Sequence, residues 1–279
     1  MTQAQQLGSM TAKGGFLNEA DICNKFLNYH QDNEAQIWLT IMGYDSKKIT
    51  LLTATQIPVR INKEKALSFG ITENKYEETI KYKKADIQIK IEITIDNIVY
   101  IENLSLKKAN KTAGFNQIDK RPVATYQKIW GFDKTIAYWL RCFTGDILPS
   151  EINTKEYLSF RDIKEKRVFL DELPQEKLKD IIHFFTENKY LILSDIIKGR
   201  GGLSAEWMLV TQKDTKNNET ITWVLKDINT TINFYAQGEV KLSPRGSLKI
   251  GRITMQRKGG TPDPTSLQFK MNPLELFDA

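Results

Sequence analysis

The sequence predicts a mixed α/β domain, and three observations carry that prediction. Isoleucine alternates strictly with polar residues from Asp86 to Ile95, the signature of a half-buried strand. Apolar residues at helical spacing mark amphipathic segments over 18–29 and 175–188. Strand-like and helix-like stretches follow one another with no internal repeat and no low-complexity linker, so one domain spans 1–279. Within it, 1–145 is expected to be mainly catalytic core, and 146–279 to complete that core and carry a recognition region.

The first helix is expected over 18–29, with Leu17, Ile22, Phe26 and Leu27 on one stripe, Asn18 as N-cap, and Glu19 and Asp21 in the first turn. A second runs over 33–42 and stops at Gly43. The stretch 46–84 is polar and lysine-rich and predicts an irregular excursion. Then Ile87, Ile89, Ile91, Ile93 and Ile95 face one way and Asp86, Gln88, Lys90, Glu92 and Thr94 the other. Asp96-Asn97 reads as a tight turn, and 98–107 as the returning strand. Farther on, 123–142 predicts one or two helices broken at Gly131, and 175–188 another, followed by a short strand at 191–193. Strands are expected over 207–212, 221–225 and 248–256, and a helix over 228–235.

Composition narrows the chemistry. Two cysteines, Cys23 and Cys142, supply neither a disulfide framework nor a zinc cluster, and two histidines leave a His-based zinc site poorly supplied. A catalytic metal would need oxygen ligands, which points to Mg²⁺. No apolar run is long enough for a membrane helix. The polar start Met-Thr-Gln-Ala-Gln-Gln-Leu-Gly-Ser has no signal core, so the expected location is the cytoplasm. The net charge of +6 is modest, but its basic residues concentrate over 107–121, at Lys198 and Arg200, and over 241–258, where no acid occurs.

A two-residue turn at Asp96-Asn97 sets Ile95 opposite Ile98, Gln88 opposite Ser105 and Asp86 opposite Lys107. Asp86, Ser105 and Lys107 then share a face, while Glu102 points to the other. A carboxylate, a hydroxyl and a lysine converging this way suit phosphodiester hydrolysis: the carboxylate anchors Mg²⁺, and the lysine orients water or stabilises developing charge. An Asp across from a Lys on a hairpin is more commonly an exposed cross-strand ion pair of small energetic value, and the hairpin does not settle the choice alone.

The arrangement resembles the PD-(D/E)xK nuclease core, with Ser105 where an acid is usual. Several segments extend the resemblance: Leu7-Gly-Ser-Met-Thr-Ala-Lys-Gly-Gly-Phe16, Gly114-Phe-Asn-Gln-Ile-Asp-Lys120, Gly199-Arg-Gly-Gly-Leu-Ser-Ala-Glu-Trp207 and Arg252-Ile-Thr-Met-Gln-Arg-Lys-Gly-Gly260. In this order, with Phe143-Thr-Gly145, Leu242-Ser-Pro-Arg-Gly-Ser247 and the ending from Leu267 to Asp278, they resemble type II restriction endonucleases of the HinP type, which cut at GCGC. The resemblance implies a restriction-endonuclease-like α/β core, a central mixed β-sheet flanked by helices. It also implies Mg²⁺-dependent cleavage of double-stranded DNA at a short palindrome, GCGC or GCNGC-like, leaving 5′-phosphates, within a restriction-modification system. It places the catalytic aspartate at Asp86 and the lysine at Lys107, with Ser105 where the family has a glutamine. Asp86, Ser105 and Glu19 are the metal-ligand candidates, though an acid at a helix start is also favoured without any metal.

Gln117 matches the family's glutamine that is pushed into the DNA stack, with Asn116 and Lys120 nearby as base or phosphate contacts. Arg245, Ser247, Gln256, Arg257 and Lys258 are candidate DNA contacts on the second basic segment, some to guanine edges and some to phosphates. Arg200 is a phosphate candidate, or part of a tight structural turn. Cutting both strands calls for two sites, through a homodimer, a higher assembly on DNA or sequential action. Two other functions fit the same residues: an endonuclease that requires 5-methylcytosine, and a sequence-specific DNA-binding protein without catalysis.

Overall fold

The protein is described from a computed structural model, covering residues 3–93, 98–110, 114–152, 168–214, 220–257 and 265–279. It divides into two compact units that are discontinuous in sequence: Met1–Gly114 with Ile197–Ile232 and Pro273–Ala279, and Phe115–Ile196 with Asn233–Asn272.

The first unit opens with α1 (Gln3–Leu27) and α2 (Asn33–Ile41). Helix α1 starts well before the expected N-cap and runs through Gly14 and Gly15, although glycine costs about 1 kcal/mol in a helix interior. Asn18 is therefore interior and buried, accepting a 3.1 Å hydrogen bond from Thr211 Oγ1. Ile22 and Phe26 enter the core as expected, whereas Leu17 and Leu27 are exposed. Helix α2 is capped by Asp32, whose side chain accepts from the Ala35 N–H at 2.9 Å.

The segment expected to be irregular holds the strand β1 (Ile49–Gln56) and the helices α3 (Lys63–Ser68) and α4 (Tyr76–Tyr82). A register shift between Ile49 and Leu51 breaks the period-two pattern of β1, which hides the strand from sequence inspection. Strands β2 (Ile87–Ile93) and β3 (Ile98–Asn110) pair antiparallel, but Ile93 lies opposite Ile98 and Ile87 opposite Leu104. The pairing is thus displaced by two residues from the one a tight Asp96-Asn97 turn dictates; those two residues and Ile95 lie outside the described residues. A shift of two keeps every side chain on its expected face, where a shift of one would have inverted them all.

The second unit begins with β4 (Asn116–Pro122), α5 (Val123–Trp130), α6 (Lys134–Thr144) and α7 (Gln175–Glu187). Gly131, in the left-handed region at φ 74°, ends α5, which accounts for the expected break. The apolar run at 191–193 belongs to the helix α8 (Lys189–Ile197) rather than to a strand. Its buried residues Ile192, Leu193, Ile196 and Ile197 repeat at helical spacing.

The chain then completes the first sheet with β5 (Trp207–Lys213) and β6 (Thr220–Asp227), followed by α9 (Ile228–Ala236). That sheet has the order β1-β2-β3-β5-β6 and is mixed, since only β3 and β5 run parallel. Its core packs Ile87, Ile89, Leu104 and Leu106 against Ile22 and Phe26 of α1 and Trp38 and Leu39 of α2. Each such side chain contributes roughly 1.5–3 kcal/mol on burial.

The second sheet adds β7 (Val240–Leu242), β8 (Leu248–Ile250), β9 (Ile253–Arg257) and β10 (Ser266–Met271), in the order β4-β10-β9-β8-β7. The single strand expected over 248–256 is two strands folded back at Gly251, whose φ of 59° and close approach to the Tyr235 carbonyl exclude a Cβ. Among the described residues, no helix is long and apolar enough to cross a membrane.

The glycine turn before β5 is a packing device in the first unit. A Cβ on Gly199 would lie 2.0 Å from the Tyr82 carbonyl oxygen, at a φ of 77°, and Arg200 stacks its guanidinium 4.9 Å from the Tyr82 ring. A Cβ on Gly202 would meet nothing closer than Ile71 at 3.4 Å. Gly199→Ala should therefore lower the unfolding free energy by about 2 kcal/mol in denaturant titration, while Gly202→Ala stays within about 0.5 kcal/mol.

Candidate functional site

Strand β2 begins no earlier than Ile87 because the backbone just before it is engaged elsewhere: the Lys84 and Ala85 N–H groups both donate to the Leu203 carbonyl. Asp86 still donates its own N–H to Leu104 O at 2.8 Å. The next N–H of β3 on that side, from Leu106, donates instead to the Asp86 carboxylate, with Oδ2 at 2.7 Å. A side chain thus satisfies a donor that the departing backbone left behind.

Ser105 and Lys107 converge on the same carboxylate. Ser105 Oγ donates to Asp86 Oδ2 at 3.3 Å and accepts from Lys107 Nζ at 2.9 Å. Lys107 Nζ also donates to Leu106 O at 3.0 Å and lies 3.8 Å from Asp86 Oδ2. Ser105 is buried, whereas the Asp86 side chain keeps about a third of its exposure, 32%. The side chain that must hold its position is enclosed, and the charged group remains reachable.

Buried amides back this face. Gln88 donates to Asn103 Oδ1 at 3.3 Å, and Asn103 donates to the Gly202 carbonyl at 3.1 Å. Glu102 stands on the opposite face, as expected, where Tyr44 and Trp207 donate to its two oxygens.

Glu19 of α1 faces the cluster. Gln56 Nε2 donates to Glu19 Oε2 at 3.4 Å, and both residues line a groove of about 490 Å³ with Phe16, Cys23 and Pro58. Burial first, and then the negative charge of Asp86, push the Glu19 carboxyl up to about 7, against the opposing pull of the Gln56 hydrogen bond, Lys107 and Lys83. Lys83 is a member of this cluster that sequence inspection missed. Its ammonium donates to the Pro58 and Val59 carbonyls, and burial holds it below the usual lysine value despite Asp86 and Glu19. Its place three residues before Asp86 was the only signal, and not a specific one.

The donor set is all oxygen. Among the described residues no three acids, histidines or cysteines gather into a group that could hold a metal, so this cluster offers a cation two carboxylates, Asp86 and Glu19, and the Ser105 hydroxyl. That suits Mg²⁺, which keeps several waters and binds through one or two carboxylates. The proton affinity of Glu19 is the structural test of fit: burial and then repulsion from Asp86 raise it, and a cation held by the two acids would relieve the repulsion.

The second sheet has one apolar and one polar face. Leu267, Phe269, Met271 and Met255 are fully buried on the first. On the other, the pairing brings Lys120, Lys241, Lys249 and Lys270 together with Gln117, Gln256 and Gln268. No carboxylate stands on this face among the described residues. A groove of about 380 Å³ runs over it, lined by Phe115, Arg245, Ser247, Lys249, Gln256 and Lys270 among others. Phe115 is exposed, and Lys249 Nζ lies 5.6 Å from its ring centre.

The sequence-predicted DNA contacts divide accordingly. Gln117 and Lys120 stand on the polar face, within β4 and not in a loop. Gln256 joins them from β9, and Arg245 and Ser247 from the β7–β8 turn. Asn116 pairs with Met271 and Arg257 with Leu267, which turns both toward the apolar face; the Arg257 guanidinium stacks 4.0 Å from the Phe169 ring. Arg200 belongs to the first unit and to its turn, and Lys258 lies outside the described residues. Sequence inspection missed Lys249, Gln268 and Lys270 on the polar face; the alternation of Leu267-Gln-Phe-Lys-Met271 was the available signal.

Comparison with known proteins agrees with this architecture. Residues 75–277 match the family described as R.HinP1I restriction endonuclease. No curated protein matches the chain. The crystal structure of restriction endonuclease MspI in complex with its cognate DNA superposes with a TM-score of 0.60 at 14% identity, covering 97% of this chain and 93% of that one.

The Glu19 shift carries a stability consequence. In the unfolded chain the carboxyl titrates near its ordinary 4.5, and in the folded protein near 7. Between those values the folded state holds a proton that the unfolded state has lost, so stability falls as pH rises through the window and the penalty is complete above it. In chelator, Glu19→Gln should melt above the parent at pH 8 and level with it at pH 4.5. Equal melting temperatures at pH 8 would contradict this electrostatic picture.

Proposed function

Because the chain belongs to the R.HinP1I restriction endonuclease family, whose members are type II enzymes that cut DNA at defined sites, we propose that it hydrolyses double-stranded DNA at a short GC-containing palindrome of the GCGC or GCNGC kind. The products are 5′-phosphates and the metal is Mg²⁺. The observation that carries the catalytic assignment is the convergence of Ser105 and Lys107 on the Asp86 carboxylate.

Asp86 and Glu19 would hold the ion, with Ser105 Oγ contributing directly or through a water. When bound, Mg²⁺ supplies positive charge beside the scissile phosphate and acidifies water. Lys107, held by Ser105 Oγ and Leu106 O, presents its ammonium next to Asp86 and can orient the attacking water or stabilise charge developing on the phosphate. Ser105 positions Lys107 and Asp86 relative to each other by accepting from one and donating to the other. The polar face of the second sheet binds DNA, its lysines to phosphates and its amides to base edges. Two copies, or one copy acting twice, cut the two strands.

Incubating unmethylated and cytosine-methylated plasmids with protein and Mg²⁺, then mapping the ends, tests this reading. Discrete fragments with 5′-phosphates from unmethylated DNA are expected. Fragments from methylated DNA alone would make the enzyme modification-dependent. Lys107→Ala should lower cleavage at least ~100-fold, the loss typical of removing one preorganised charge-stabilising donor, and leave gel-shift binding intact. Asp86→Asn should do the same while keeping an acceptor for the Leu106 N–H, and full activity of either variant would remove the site assignment.

A further inference from the structure

The second sheet ties three glutamines into one hydrogen-bonded row. Gln256 and Gln268 are direct cross-strand partners, and Gln256 Nε2 donates to Gln268 Oε1 at 3.1 Å. Gln268 Nε2 donates in turn to Gln117 Oε1 at 2.5 Å, from β10 to β4. An amide carries two N–H donors and one carbonyl oxygen. The row engages the oxygens of Gln268 and Gln117 once each and leaves four N–H groups, both of Gln117 and one each of Gln268 and Gln256, beside the unused Gln256 oxygen, so the amides alone are balanced and the neighbouring lysines decide the character of the face. Lys270 and Lys249 stand on the same face, in register with Thr254, and add ammonium donors.

A face weighted toward donors by Lys249 and Lys270 is best matched in duplex DNA by guanine, since thymine offers a single acceptor, O4. Guanine shows two acceptors, O6 and N7, in the major groove, whereas adenine and cytosine each place an amino group there that would meet donor with donor. Across three strands the row spans about 10 Å, close to three base steps of roughly 3.4 Å.

We propose that Gln268 is a specificity-determining residue that reads guanine, through its own remaining N–H and by engaging the Gln117 oxygen so that both Gln117 N–H groups stay available. The inference rests on the DNA-endonuclease reading above. Without Gln268, the amides on the two flanking strands lose their shared partner, and Gln117 can rotate to present its carbonyl instead.

The test uses the full-length protein. The parent first selects its preferred duplex from a randomised library, and each guanine of that duplex is then replaced in turn by 7-deazaguanine, which removes N7 and keeps base pairing. The parent should lose about tenfold in affinity at one guanine or more, the discrimination expected from a paired base contact. Gln268→Met should bind the selected duplex about tenfold more weakly and show no further loss at that guanine, with binding to an unrelated duplex unchanged. Gln268→Glu, which can accept from Gln256 but cannot donate to Gln117, should lose the same penalty; its ratio is internal to the variant, so the added charge cancels, and it serves if the methionine variant does not fold. A Gln268 variant that keeps the parent's penalty at every 7-deazaguanine overturns the inference while leaving a site-specific nuclease in place. A parent that selects no sequence overturns both readings together.

Discussion

The hydrogen bond from the Leu106 N–H to Asp86 Oδ2 organises the first unit. It exists because the backbone ahead of Ile87 turns away to the Leu203 carbonyl, leaving a strand donor with no strand acceptor. An unsatisfied buried donor costs about 1–3 kcal/mol, so the carboxylate is held in place by the need to complete the ladder. Once fixed there, it fixes the others. Ser105 and Lys107, two residues apart on β3, project to the same side and meet the carboxylate without any further loop geometry. Glu19 then feels the charge from α1. The proposed chemistry therefore depends on where one strand stops pairing.

The two sheets treat their polar residues differently, and the difference follows from what covers them. Gln88, Asn103 and Ser105 are buried on the face that carries Asp86, and each finds a protein partner there. Buried polar groups in such a row are satisfied or costly, which makes the first sheet rigid where it carries charge. The second sheet keeps its polar side partly open, and its amides bond one another in sequence while still holding protons for something else. Rigid placement of reacting groups and partial satisfaction of reading groups are the two conditions that cutting at a chosen sequence imposes.

Much of this was legible from residue order, and the failures have physical causes. The period-two run from Asp86 to Ile95 identified β2, and parity alone placed Asp86, Ser105 and Lys107 together and Glu102 away from them. The register itself was off by two, an error parity forgives. Parity also explains Arg257 and Asn116: both belong to strands of the second sheet, but each stands one residue from the polar face, opposite a buried apolar partner. Strand β1 escaped because a bulge disrupts its alternation. Helix α1 was cut short because Gly14 and Gly15 suggest a break, and a buried Asn18 looks identical to an N-cap in sequence. The glutamine row was invisible because its members are spread over 151 residues of sequence and meet only through strand pairing.

Ser105 is where the sequence departs from an acidic site, and the surrounding charges make the departure intelligible. Burial first, and then Asp86, push Glu19 up to about 7, so a second negative charge beside Asp86 is already disfavoured without a cation. A carboxylate in place of Ser105, buried and within reach of Asp86, would add a further negative charge to a desolvated site, where like charges repel. A hydroxyl avoids that conflict. It accepts from Lys107 and donates to Asp86 at once, which a carboxylate cannot do, and it keeps the lysine beside the one acid that is fixed by the backbone. In the proposed ligand set the second carboxylate therefore comes from the helix, as Glu19, and position 105 adds only a neutral oxygen.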